Sequence, residues 1–207
     1  MKPIVIVQII SLLLVSGMLG GLLLTTPLYN EVQSGIVEVL CLSCIKLDPK
    51  TELAFTFETA NGKDHPLFVQ ENLSNGPVFM EFRQDVCEAC DEMAPLIKEI
   101  FDLEFEKEET FFELVHLNSA NVTFMHINLD HASEELKASF ACYDKDDIGG
   151  VPMFTLVSYG YDRGFIKPIY TTTYGKLSLQ NDQERKDLLL TIIQDGINLY
   201  EQTNSHH

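Results

Sequence analysis

Basic residues are scarce in this 207-residue chain, and tryptophan is absent altogether. Fourteen Lys and Arg stand against 31 Asp and Glu, a formal net charge of −17. A surface this acidic repels phosphates and argues against a nucleic-acid partner. Both glycine-rich phosphate patterns, G-x-x-x-x-G-K-[ST] and G-x-G-x-x-G, are missing, so no nucleotide cofactor is implied. Ser, His and Asp form no recognisable hydrolase arrangement, and there is no internal repeat or low-complexity tract. Cysteine is limited to five residues, and there is one long apolar run.

That run, Ile4 to Leu24, holds 21 residues without a charge. As a helix it would be ~31 Å long, enough to cross a bilayer core. It exceeds the ~7–15 apolar residues of a cleavable signal, and no A-x-A pattern ends it. Lys2 and the α-amino group precede it, Glu31 and Glu38 follow, and the next basic residue is Lys46. The positive-inside rule then leaves the N-terminus in the cytoplasm and exports the rest. The expectation is a single-pass protein of the cell membrane: a signal-anchor over 1–25, a juxtamembrane segment over 26–50, and an extracytoplasmic folded domain over 51–203.

The cysteines form two C-x-x-C pairs, Cys41/Cys44 and Cys87/Cys90, with Cys142 left over. An exported compartment permits disulfides. Cys87-Glu88-Ala89-Cys90 follows an apolar strand-like run, Pro77 to Phe82, and opens a helix-like run from Cys90 to about Lys107. A helix N-terminus offers unpaired N–H groups and a partial positive charge. Both favour the thiolate, which is the nucleophile in thiol chemistry. A second cysteine one helical turn later is close enough to close a disulfide, so this stretch reads as a dithiol for exchange. Zinc is the rival, but 42 residues separate Cys44 from Cys87, against the more usual ~15–20. Cys41/Cys44 stays open between a second redox pair, a structural disulfide and a metal-binding pair. Cys142 reads as a small buried residue.

Around the dithiol the spacing predicts strands over Leu53–Thr59, Val122–Leu129, Met153–Ser158 and Gly164–Thr171. It predicts helices over Pro66–Leu73, Ser133–Tyr143 (capped by Ser133) and Asn181–Glu201. Asn61-Gly62 is a turn signal. The acids from Glu99 to Glu109 read as the solvated face of the long helix. Strands alternating with helices imply an α/β sheet covered by helices.

From Pro66 to Glu201 the chain resembles the thioredoxin superfamily. The residues that carry the resemblance are Gly76-Pro-Val-Phe-Met-Glu-Phe before the dithiol, Pro95 inside the helix after it, Val122 to Asp130 ending in Asn-Leu-Asp, and Gly150-Val151-Pro152. The resemblance implies a thioredoxin-like fold, a mixed central sheet flanked by helices, here behind an N-terminal transmembrane helix. It implies a thiol–disulfide oxidoreductase that needs no cofactor, with Cys87 attacking and Cys90 resolving. Glu81 takes the place of the buried acid that relays a proton for the resolving cysteine. His126 occupies the place of that acid's basic neighbour and is a candidate to pair with it. Pro152 takes the place of the cis proline beside the disulfide. Partners would be protein disulfides or dithiols and a membrane electron donor or acceptor.

The departures are Val86 in place of tryptophan, Glu88-Ala89 in place of Gly-Pro, Met153 in place of threonine, and an insertion at Asp144-Lys-Asp-Asp. A glutamate between the cysteines disfavours the thiolate and makes the pair more reducing. Phe55 to Lys63 is similar to the N-terminal hairpin of membrane-anchored reductases of the cytochrome-maturation type. Two rival readings remain: a thioredoxin-fold binding or chaperone module with permanently oxidised cysteines, and a metal-delivery module using both C-x-x-C pairs.

Overall fold

The computed structural model describes residues 55–117, 120–177 and 181–204. Ile4–Leu24 and the Cys41/Cys44 pair lie outside the described residues. Among the described residues, no helix is long and apolar enough to cross a membrane.

The elements are α1 (Leu67–Asn72), β1 (Val78–Arg83), α2 (Glu88–Phe101), β2 (Phe111–Leu117), β3 (Ala120–Asn128), α3 (Glu134–Tyr143), β4 (Met153–Asp162), β5 (Phe165–Tyr174) and α4 (Asp182–Asn204). The sheet runs β2-β3-β1-β4-β5. β1 is parallel to β3 and antiparallel to β4, while β2–β3 and β4–β5 are antiparallel pairs. A mixed five-stranded sheet flanked by helices fits a thioredoxin-like fold.

β1 sits at the centre with all six residues buried. Alternation along the strand divides its side chains between two cores. Phe79 joins Ile97 and Phe101 of α2, Phe124 of β3, and Ile193 of α4 on one face. The Phe101 and Phe124 rings stack there with centroids 4.4 Å apart. Met80 and Phe82 join Val69 of α1, Ile127 of β3 and Tyr143 of α3 on the other. Ser133 caps α3 as expected, accepting from the Leu136 amide at 3.4 Å.

Four expectations need correction. The helix after the dithiol stops at Phe101 rather than near Lys107, because Asp102 turns left-handed at φ 53° and its amide closes on the Lys98 carbonyl. Glu104, Glu106, Glu108 and Glu109 therefore lie beyond the helix, while Phe105 folds back into the core. The sequence reading missed β2. Its Phe112 and Leu114 are exposed at the sheet edge, so the strand lacks the alternation that marks a half-buried one. No strand forms over residues 55–59: Thr56 makes an isolated bridge to Tyr170, and the chain then turns away. The Thr59 hydroxyl bonding Lys63 and the Asn61 amide donating to Cys142 Sγ hold that turn. Finally, β4 and β5 run longer than expected. The two-residue link Arg163-Gly164 has positive φ at both positions, 52° and 85°, which suits the twist of a tight hairpin.

Helix α4 approaches the sheet closely at Gly196. The Ser158 hydroxyl of β4 donates to the Gly196 carbonyl at 2.7 Å. A Cβ placed on Gly196 would lie 2.4 Å from Leu156 Cδ2, in a side chain only 1% exposed. Gly196→Ala is expected to lower stability by about 1–3 kcal/mol through overpacking, outweighing the helix propensity gained. Urea unfolding checks it; an unchanged or higher midpoint would contradict the close approach.

Candidate functional site

Cys87 is the N-cap of α2, with extended backbone at φ −148° and ψ 94°. Its Sγ accepts from the Cys90 amide at 3.1 Å. Sulfur thus occupies the place where a helix start needs an acceptor for its free N–H groups. A disulfide joins Cys87 and Cys90, with Cα atoms 5.2 Å apart. Cys90 is fully buried and Cys87 only half so, which leaves Cys87 as the accessible sulfur. Val86, just before it, is 96% exposed. Pro95 lies within α2, which continues through it to Phe101.

Two charged side chains lie on the buried strand that feeds this turn. Glu81 is fully buried, and its Oε2 meets His126 Nδ1 of β3 at 2.9 Å, the pairing for which His126 was a candidate. Glu81 is therefore not an exposed strand residue. Its Oε1 and the Nε2 of His126 have no hydrogen-bond partner. Aromatic rings wall the pair: Phe105 lies 4.4 Å and Phe111 5.5 Å from the His126 ring, centroid to centroid. Arg83, two residues on, bonds Asp91 of α2.

The Val151–Pro152 peptide is cis, as the resemblance implied. Pro152 is buried, and its carbonyl accepts from Gly175 at 2.8 Å. The register pairs Phe82 of β1 with Met153 of β4, which sets Pro152 at the sheet end from which the dithiol loop departs. Asp144 folds its own loop, its carboxylate accepting from the amides of Ile148 and Gly149. Cys142 is a buried free thiol on α3, held by Asn61.

A network ahead of Cys87 escaped the sequence reading. The Asn128 side chain donates to Asp85 Oδ1 at 2.8 Å and to the Lys107 carbonyl at 2.6 Å. His131 Nε2 meets Asp85 Oδ2 at 2.9 Å, and Asp130 accepts from the Asp85 amide at 2.7 Å. These contacts tie the end of β3 to the loop that carries the dithiol. The Asn128-Leu-Asp130 motif was the available signal, but its partner Asp85 lies 43 residues away from Asn128 and has no pattern of its own. Among the described residues, no group of three or more His, Cys, Asp or Glu side chains is placed to hold a metal ion.

No family model matches the chain, and no curated protein is similar to it. Among solved structures, the thioredoxin from Aeropyrum pernix aligns with a TM-score of 0.34 and 13% identity, over 69% of this chain and 97% of that one. A likeness this loose transfers no residue's role.

The hydrogen bond from Asn128, and secondarily His131, hold the Asp85 carboxyl below its ordinary value. The fold thus favours its charged form. Its contribution is complete above the unfolded carboxylate pKa of about 3.9 and is lost as pH falls through the lower folded value. Asp85→Asn should therefore be less stable than the native chain at neutral pH, with the gap closing below about pH 4. Denaturant unfolding across that range checks it; a pH-independent gap would contradict the network.

Proposed function

We propose that the protein is a thiol–disulfide oxidoreductase acting through Cys87 and Cys90, anchored in the membrane by Ile4–Leu24 with its folded domain outside the cytoplasm. One observation carries the redox reading: a dithiol at a helix start, with one sulfur accessible and the other buried, on a loop leaving a fully buried strand. The anchor rests on the charge-free run and the residues that flank it.

In the reduced protein, Cys87 attacks one sulfur of a substrate disulfide. A mixed disulfide forms and one substrate thiolate leaves. The Cys90 thiol gives its proton to the buried Glu81–His126 pair, where Glu81 Oε1 is the open acceptor. The Cys90 thiolate then attacks Cys87 Sγ, the intramolecular disulfide closes, and the second substrate thiol departs. Two electrons pass to the substrate, and no cofactor takes part. The reverse sequence oxidises a substrate dithiol. Pro152 lies at the same sheet end and gives an extended substrate segment its backing. Substrates are protein disulfides or dithiols, and a membrane electron donor or acceptor resets the pair.

Cys90→Ser should accumulate a mixed disulfide with a model disulfide substrate, seen as a mass increase at Cys87. Cys87→Ser should accumulate none and lose at least a thousandfold in exchange rate. Equal trapping by both variants would overturn the assigned order of attack. In membranes from expressing cells, the full chain should resist alkaline carbonate extraction, while a chain starting at Thr26 should not. Release of the full chain by carbonate would remove the anchor from this reading.

A further inference from the structure

The exchange set out above leaves one buried charge without a role. Arg83 ends β1, four residues before Cys87, and its side chain is 1% exposed. Its Nη2 donates to Asp91 Oδ1 at 2.8 Å, while Asp91 itself is 55% exposed. Asp91 follows Cys90 directly, and its amide donates to the Cys87 carbonyl at 3.1 Å. One carboxylate therefore ties the guanidinium to the helical turn that holds both sulfurs. Arg83 Nε is buried and has no hydrogen-bond partner, so Asp91 satisfies the cation only in part.

The two charges are unequal in reach. Solvent screens an exposed carboxylate far more than a buried guanidinium. Acting together on a sulfur at the start of α2, they leave a net positive influence although their charges sum to zero. That influence favours a thiolate, and it opposes Glu88, which sits between the two cysteines. Asp85 is already paired with His131. Lys98, which pairs with Glu104, lines the cleft of about 360 Å³ beside Arg83 together with Lys107, Glu106 and Glu108.

We propose that Arg83 and Asp91 form a charge couple that sets the reduction potential of the Cys87/Cys90 pair. Arg83 raises the potential by stabilising the reduced thiolate form, and Asp91 restrains that effect. Both are positioning residues: neither needs to touch substrate. The inference rests on the oxidoreductase reading.

A structural role and an electrostatic role give different signs. If the ion pair only props the turn, removing either partner has the same consequence. If it sets the potential, the two removals act in opposite directions. The full-length native chain, Asp91→Asn, Arg83→Met and Arg83→Lys would be equilibrated in glutathione buffers at one pH, and free thiols trapped and located by mass spectrometry. The pH dependence of Cys87 alkylation would be read on the reduced proteins. Asp91→Asn should shift the equilibrium toward the dithiol by up to about tenfold, close to 30 mV for a two-electron couple, and move Cys87 alkylation to lower pH. Arg83→Met should shift both the other way by a similar factor, and Arg83→Lys should stay near the native value. If Arg83→Met fails to fold, Asp91→Asn against Arg83→Lys decides. Shifts of the same sign in Asp91→Asn and Arg83→Met, or no shift in Asp91→Asn, would overturn the couple while leaving the oxidoreductase reading standing. A native Cys87–Cys90 disulfide that never reduces would sink that reading and this inference with it.

Discussion

A central strand buried on both faces cannot carry charge freely, yet β1 carries a carboxylate and a guanidinium two residues apart. Burying an ion is costly unless a partner compensates it. Each has one partner, drawn from a different element. Glu81 reaches across the sheet to His126, and Arg83 reaches up to Asp91 of α2. The first contact fixes the pairing of β1 with β3 at the sheet's centre. The second fixes the first turn of α2 over the end of β1. Cys87 caps α2 and Cys90 lies in its first turn, so the contact to Asp91 bears directly on where the sulfurs stand.

Compensation of these two buried groups is incomplete. An apolar pair in place of Glu81 and His126, both fully buried, would often make an equally good or better core. Glu81 Oε1, Arg83 Nε and His126 Nε2 are among the buried side-chain atoms without a hydrogen-bond partner. His65 Nε2, Thr123 Oγ1, Tyr170 OH and Thr171 Oγ1 are likewise unpartnered, so what sets the first three apart is their place on ionisable groups beside the dithiol. The aromatic wall of Phe105 and Phe111 keeps the Glu81–His126 pair dry. The cleft beside Arg83 gives its end of the row a route to water.

Much of this was legible in the sequence where one local cause decides the outcome. Strand, dithiol and helix follow one another within a single run, and Ser133 and Asn61-Gly62 signal their cap and turn directly. The G-V-P triplet and the place of Glu81 came from family resemblance, and the cis bond and the burial of Glu81 agree with it. What escaped depends on distant partners. β2 is an edge strand, so Phe112 and Leu114 face solvent and erase the alternation. The end of α2 is set by a single left-handed residue, Asp102, inside an acidic stretch that reads equally well as helix. Arg83 looks like an ordinary strand-end cation until Asp91, eight residues on, is seen to return over it. The Asp85–Asn128 bond spans 43 residues with no periodicity to announce it.

The central claim is that Cys87 and Cys90 cycle between dithiol and disulfide. The most direct test is the reduction potential of the full-length chain in detergent, equilibrated across glutathione buffers, with thiols trapped and assigned by mass spectrometry. The account predicts one reversible two-electron transition at Cys87/Cys90, within the range of roughly −270 to −120 mV spanned by dithiol oxidoreductases. A Cys87–Cys90 disulfide that stays closed across the whole range would contradict it and leave a binding module with a structural disulfide.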